Sequence, residues 1–198
     1  NSMKVLDILS NASATIAEGE VLQLTTAHDI TTDEKTYIKV IRGKTAALFS
    51  AATEVGGVIA KANEKQIKAL FDYGDALGIA FQIVDDLLDL IGDPNLTGKN
   101  IGDDFRERKL TLPFIKAIKK ASGKELEFWQ RVIGKGDQEE DDLKIATSLL
   151  KSHGAIEETI KDALFWAQKA KNSTKPLPNN EIKKILEEFT KYVVERIT

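Results

Sequence analysis

The chain has 198 residues with 42% hydrophobic content, enough for one sizeable core, so a disordered tail is excluded. Its formal net charge of −3, with acids and bases mixed along the chain, excludes the basic footprint of a nucleic-acid-binding protein. The absence of cysteine excludes disulfides and thiolate chemistry, and it suits a reducing compartment.

Apolar residues recur at helical spacing along the chain, and strand patterns are nearly absent. The first predicted helix covers residues 3–18, where apolar side chains form one stripe. The second begins after Thr31, whose spacing to Glu34 fits a capping box, and continues through Phe49. The third begins near Asn63, with Gln66 at its capping-box position, and continues to residue 91.

Residues 92–110 are rich in glycine, proline, asparagine and charge, which predicts a loop. Helical patterns resume beyond this loop at residues 111–121, 125–133, 141–151, 156–171 and 181–197. The sequence therefore predicts an all-α protein, with residues 1–198 forming a single helical unit.

Three aspartates lie in the mostly apolar stretch FQIVDDLLDLI of the third predicted helix. Helical spacing places Gln82, Asp85, Asp86 and Asp89 on one side. Like charges this close repel one another unless a cation or water screens them. Mg²⁺ prefers carboxylate oxygens and is commonly shared with phosphates, so a magnesium site is one interpretation. A solvated face on an ordinary amphipathic helix is the alternative.

Lys44 and Thr45, in IRGKTAALF, place a cation and a hydroxyl inside an apolar helix. Such a lysine is expected either to extend toward solvent or to meet an anion. The segment is not a Walker phosphate loop, because Ile38 stands where that motif requires glycine. The predicted loop adds Lys99 and Lys109 beside Asp103 and Asp104, although a charged loop is usually just solvated.

Residues 93–104 partly match a calcium-binding EF-hand loop. Proline at the second position is awkward, and Asp104 replaces the long bidentate glutamate that closes such loops. We therefore do not favour a calcium site. His28 and His153 lie far apart in the sequence and are expected at the surface or at helix caps.

Four motifs occur in order: GEVLQL (19–24), GKTAALF (43–49), FQIVDDLLD (81–89) and GKNIGDDFRERKLTLP (98–113). Together they resemble the all-trans polyprenyl diphosphate synthases, and within them the octaprenyl and decaprenyl diphosphate synthases that make quinone side chains. The resemblance implies an isoprenoid-synthase-type helical bundle and a homodimer. It also implies magnesium-dependent condensation of isopentenyl diphosphate with an allylic diphosphate such as farnesyl diphosphate.

The resemblance also implies roles for single residues. Asp85, Asp86 and Asp89 correspond to the family's second aspartate-rich motif, with Asp85 touching the metal directly and Asp89 through water. The other implied site residues are Lys44 and Lys99 for the diphosphate, Thr45 and Gln82 near the allylic substrate, Phe81 beside the hydrocarbon, and Lys109 and Asp104 in the closing loop.

The family normally carries two aspartate-rich motifs, whereas this sequence has one DDxxD, at residues 85–89. The resemblance therefore implies a C-terminal portion that lacks the N-terminal helices and is inactive alone. A non-catalytic regulatory or partner subunit with the same fold, and a plain helical interaction module, are the alternatives.

The sequence shows no secretory leader, because residues 1–13 lack a basic stretch followed by an apolar run. The longest weakly polar stretch is interrupted by Glu54 and is too short to span a membrane. We expect a cytoplasmic chain with no integral membrane segment and no nucleic-acid partner.

Overall fold

A computed structural model describes residues 2–92 and 101–197. Within these ranges the chain forms helices and turns and contains no strand, which confirms the predicted all-α class. The α-helices are α1 (Met3–Thr26), α2 (Glu34–Ile41), α3 (Ala47–Ile59), α4 (Glu64–Ile91), α5 (Asp103–Arg106), α6 (Leu112–Lys120), α7 (Lys124–Trp129), α8 (Asp142–Ser152), α9 (Ala155–Ser173) and α10 (Glu181–Glu195).

The helix starts depend on local capping groups. At α4 the predicted capping box is confirmed, because the Gln66 N–H donates to Asn63 Oδ1 at 3.0 Å and the Asn63 N–H donates to Gln66 Oε1 at 3.2 Å. The predicted box at Thr31 is wrong. Asp33 caps α2 by accepting the Thr36 N–H at 2.8 Å, and Thr31 donates to Asp29 instead.

The predicted helix over residues 31–49 is divided by a π-helical segment, Arg42–Ala46. A second π-helical segment, Gln130–Lys135, follows α7. Such short π-helical stretches inside helices frequently occur at functional sites. Helix α1 also continues past its predicted end at residue 18. Gly19 lies within the helix and packs against the backbone of Gly43 and Lys44.

Helix α4 is the centre of the core. It packs against α3 and α9, and its buried side chains include Ile79, Ile83 and Leu87. Aromatic side chains of Phe105, Phe114 and Trp129 extend this core. No helix within residues 2–92 and 101–197 is long and apolar enough to cross a membrane.

Close backbone contacts join α1, the first π-helical segment and α4. A Cβ atom added to Gly19 would lie 2.5 Å from the Lys44 backbone nitrogen. One added to Gly78 would lie 2.5 Å from the Ala46 Cα atom. Because only glycine allows such an approach, these positions bring Lys44 and Thr45 between α1 and α4.

Replacing Gly78 with alanine tests this contact. The added methyl group meets the Ala46 Cα atom and the Cβ atoms of Ala46 and Phe49, which cannot move without the backbone, so we expect the free energy of unfolding to fall by about 2 kcal/mol. The control is Gly56→Ala in α3, where a Cβ would meet no atom within 4 Å. That variant should gain about 1 kcal/mol from higher helix propensity. Urea unfolding curves give both values, and equal effects would contradict the contact.

Candidate functional site

An open cavity of about 310 Å³ lies between the C-terminal part of α1, α2, the first π-helical segment, α4 and the segment after α5. Seven of the predicted site residues line it: Lys44, Thr45, Gln82, Asp85, Asp86, Asp104 and Lys109. Phe81 and Asp89 are not among its lining residues, and Lys99 lies outside the described part of the chain. Residues far apart in sequence therefore meet at one cavity.

Lys44 lies at the point where the first π-helical segment crosses α1. Its Nζ atom is 3.0 Å from Glu20 Oε1 and donates to Gln23 Oε1 at 2.8 Å. The ammonium group is therefore held at the cavity by two side chains of α1. Glu20 and Gln23 belong to the motif GEVLQL, but no role was predicted for them, because a helix crossing that the sequence pattern does not show brings them to Lys44.

A chain of hydrogen bonds runs along one wall of the cavity. Thr45 donates from Oγ1 to Gln82 Oε1 at 2.8 Å, and Gln82 Nε2 donates to Asp86 Oδ1 at 2.9 Å. Tyr37 donates its hydroxyl proton to Asp86 Oδ2 at 2.5 Å. Both oxygens of Asp86 therefore accept hydrogen bonds from protein groups, and Tyr37 is a site residue that the sequence analysis missed.

Burial sets the electrostatics of this wall. It raises the pKa of Asp86 to about 7, although the hydrogen bonds from Tyr37 and Gln82 oppose the shift. Burial, together with the charge of Asp86, raises the pKa of Tyr37 well above its ordinary value. The tyrosine hydroxyl therefore stays protonated and remains a donor.

Asp89 anchors residues 102–104. Its Oδ1 atom accepts the Asp103 N–H at 3.1 Å, its Oδ2 atom accepts the Asp104 N–H at 3.2 Å, and its carbonyl oxygen accepts the Gly102 N–H at 2.8 Å. Burial raises the pKa of Asp89 to about 6, and the charge of Asp104 adds to the shift. Asp89 thus fixes where Asp104 enters the cavity.

Asp104 and Lys109 also line the cavity. Lys109 Nζ lies 3.2 Å from Asp104 Oδ1 and 2.5 Å from Glu107 Oε2. Burial raises the pKa of Asp104 although Lys109 opposes the shift. Partial burial lowers the pKa of Lys109, but the two acids outweigh it and raise that pKa overall. The lysine is therefore charged at neutral pH.

Phe81 lies beside the cavity rather than in its lining. Its ring centroid is 5.4 Å from that of Phe49, and the Arg196 guanidinium carbon lies 5.7 Å from the Phe81 ring centroid. The ring is half-buried. It joins the C-terminal end of α10 to the helix that carries the aspartates.

The described residues contain no group of three or more acidic or histidine side chains that could hold a metal ion by themselves. Asp85 and Asp104 nevertheless line the same cavity. Burial is the main cause of the raised pKa of Asp104, and the charge of Asp85 adds to it. Mg²⁺ commonly uses one or two carboxylates, together with waters and substrate phosphates. Asp85 and Asp104, as two acids lining one cavity, supply that number of carboxylates.

The cavity of this helical fold combines aspartates, lysines and apolar side chains. A family model described as Polyprenyl synthetase matches residues 1–150. The chain belongs to the polyprenyl synthetase family, as its four motifs predicted.

Relatives and solved structures agree with this assignment. An octaprenyl diphosphate synthase of Haemophilus influenzae is 36% identical over 98% of this chain and 59% of its own length. A decaprenyl diphosphate synthase structure from Rhodobacter capsulatus matches with a TM-score of 0.95 and 57% identity, covering 100% of this chain and 61% of that one.

A polyprenyl synthase structure from Caulobacter crescentus, complexed with calcium and isoprenyl diphosphate, matches with a TM-score of 0.94 and 45% identity. The match covers 100% of this chain and 60% of that one. The predicted isoprenoid-synthase-type bundle is therefore confirmed. The chain spans about three-fifths of the length of the relatives that it matches.

The raised pKa of Asp89 predicts a pH dependence of stability. Its value of about 6 lies above the ordinary 3.8, so the folded chain binds this proton more tightly than the unfolded chain. The resulting stability is present below about pH 4 and is lost as the pH rises through about 6. The unfolding free energy of wild type relative to Asp89→Asn should fall over this interval in urea titrations. A difference that does not change with pH would contradict the prediction.

Proposed function

We propose that the chain provides one side of the active site of a long-chain all-trans polyprenyl diphosphate synthase. The enzyme would condense isopentenyl diphosphate with an allylic diphosphate such as farnesyl diphosphate. The observation that carries this proposal is the convergence of Lys44, Thr45, Gln82 and Asp85 on one cavity. The octaprenyl and decaprenyl diphosphate synthases among the relatives support a long product.

Lys44 and Lys109 would bind the allylic diphosphate from two sides, and we propose that Lys99 joins them. Cleavage of the allylic carbon–oxygen bond leaves the electron pair on the diphosphate and a cation on the carbon. Ammonium groups that stabilise the growing negative charge lower this barrier. The double bond of isopentenyl diphosphate then forms the new carbon–carbon bond, and a proton leaves the product.

We propose that Asp85, Asp86 and Asp89 hold Mg²⁺, with Asp85 in direct contact and Asp89 in contact through water, and Asp104 lines the same cavity as Asp85 and Asp86. When bound, the ion would supply further positive charge next to the departing diphosphate. Apolar side chains of Val40, Ile41 and Leu110 also line the cavity. They would keep water from the allylic cation, which water would otherwise quench.

We further propose that residues 1–198 are part of one domain, with the 92–110 loop over the site. The protein would be a cytoplasmic homodimer that makes quinone side chains. Exposed apolar side chains along α1, including Met3, Leu6 and Leu9, support a further packing partner. The lack of cysteine suits a reducing compartment.

We expect the purified chain alone to show no turnover of isopentenyl diphosphate with farnesyl diphosphate in the presence of Mg²⁺. Its single DDxxD motif supplies only one acidic motif where the family normally has two. Incorporation of labelled isopentenyl diphosphate into extractable product measures the outcome. Turnover above the protein-free background would show that one motif suffices.

A chimera tests the function itself. It joins this chain to the part of the Haemophilus influenzae synthase that the chain does not match, in the order in which the segments occur in that relative. We expect prenyl transfer that falls at least about a hundredfold in Asp85→Asn, which removes a carboxylate that would hold Mg²⁺, and in Lys44→Ala, which removes an ammonium group from the diphosphate site.

The controls are Asp72→Asn and Lys68→Ala, which remove the same charges from an exposed pair on α4 and should leave the rate unchanged. A chimera that folds and transfers no prenyl group would favour the non-catalytic subunit. Unchanged activity in both cavity variants would favour a helical module with solvated acids.

A further inference from the structure

Two residues that line the cavity are joined by a tight turn at positions 104–109. Within this turn the Phe105 carbonyl accepts the Arg108 N–H at 2.9 Å. The same carbonyl accepts a second hydrogen bond, from Gln138 Nε2 at 2.9 Å, and Gln138 does not line the cavity. The Gln138 Nε2 atom also donates to the Val132 carbonyl at 3.1 Å. Both amide protons are therefore used, and they join the turn to the second π-helical segment.

The turn contains a residue in a strained conformation. Arg108 has φ 56, in the left-handed region that a side chain with a Cβ atom adopts only at a cost. Such a conformation persists where the surrounding contacts hold it. Gln138 holds the carbonyl that accepts the Arg108 N–H, and the Arg108 guanidinium packs where a Cβ on Gly136 would lie. The chain reverses here, and Lys109 Nζ lies 3.2 Å from Asp104 Oδ1.

Gln138 is itself fixed by a buried ion pair. Arg131 donates from Nη1 to Asp142 Oδ2 at 2.9 Å and from Nη2 to Asp142 Oδ1 at 2.6 Å, and Asp142 is only 2% exposed. Arg131 also donates to the Asp137 carbonyl at 2.7 Å, and the Glu139 N–H donates to Asp142 at 2.6 Å. The residues on both sides of Gln138 are thus bound, so its backbone cannot shift without breaking a buried, two-pronged pair.

We propose that Gln138 is a positioning residue, which fixes the Phe105 carbonyl and thereby the place of Lys109 in the cavity. The inference rests on the proposed function, because it gives Lys109 a diphosphate to bind. It also gives the second π-helical segment a role at a distance from the cavity, since the Val132 carbonyl and the Arg131 side chain of that segment hold Gln138.

Gln138→Met keeps the length of the side chain and removes both donors. Tyr73→Phe is its matched control, because Tyr73 also donates to a backbone carbonyl, that of Leu186 at 2.8 Å, and does not line the cavity. We expect the N–H groups of Arg108 and Lys109 to exchange with solvent about tenfold faster in Gln138→Met, relative to those of α9, and at the wild-type rate in Tyr73→Phe. NMR of the chain without ligand measures this, and unchanged exchange in Gln138→Met would overturn the proposal.

The chimera with the Haemophilus influenzae synthase shows whether Gln138 acts through Lys109. We expect Gln138→Met to lower kcat about tenfold and to leave the KM for isopentenyl diphosphate within about twofold, because a displaced ammonium group stabilises the departing diphosphate less. In a Lys109→Ala background the same substitution should lower kcat by less than about twofold, since the group that it positions is already gone. Tyr73→Phe should leave kcat unchanged in both backgrounds.

The outcomes separate the positioning role from the proposed function. Equal losses of kcat in the two backgrounds, or no loss in either, would overturn the positioning role and leave the proposed function intact. A folded chimera without prenyl transfer would refute the proposed function, and the positioning role with it. If Gln138→Met does not fold, Gln138→Asn replaces it, because its shorter side chain keeps the amide but cannot reach both carbonyls. Its loss of kcat should be about threefold and should likewise disappear in Lys109→Ala.

Discussion

The approach of three backbones at Gly19, Gly43 and Gly78 is the constraint on which the candidate site depends. Helix axes in ordinary packing lie about 8–10 Å apart, with side chains between them. Here backbone meets backbone, since a Cβ on Gly43 would lie 3.0 Å from the Gly19 Cα atom. The short separation lets Lys44 reach α1 and Thr45 reach α4 from adjacent positions of one π-helical segment.

The second constraint is the cost of buried charge. Removing a carboxylate from water is unfavourable unless donors replace the lost hydration, and Asp86 receives them from Tyr37 and Gln82. Tyr37 is itself placed by an ion-pair network in which Lys116 lies 2.9 Å from Glu34 and 2.8 Å from Asp162. This network ties α2 to α6 and α9. A fold that keeps costly polar groups beside a cavity is typical of a functional site.

Sequence patterns predicted the helices well where the signal is local. The cap at Asn63 and the helices after residue 110 follow from residues within a few positions of one another. The observed ends of these helices lie within about two residues of the predicted ends. The exception is the 125–133 helix, whose C-terminal part is π-helical. The wrong cap at Thr31 has the same local origin, because Asp33 offers a stronger acceptor two residues later. The π-helical segment was missed because it differs from an α-helix only in its backbone hydrogen-bond register, which no residue of RGKTA signals in the sequence.

The sequence by itself determined the all-α class, the family, and the residue types that gather at the cavity, because periodicity, capping and ordered motifs are written in neighbouring positions. Only the tertiary structure decided that Tyr37 meets Asp86 across 49 positions of sequence and that Glu20 and Gln23 hold Lys44. It also decided that Asp89 binds the backbone of residues 103 and 104 instead of lining the cavity. Partners of this kind depend on how closely helices cross, and that distance is set by the packing of the whole core.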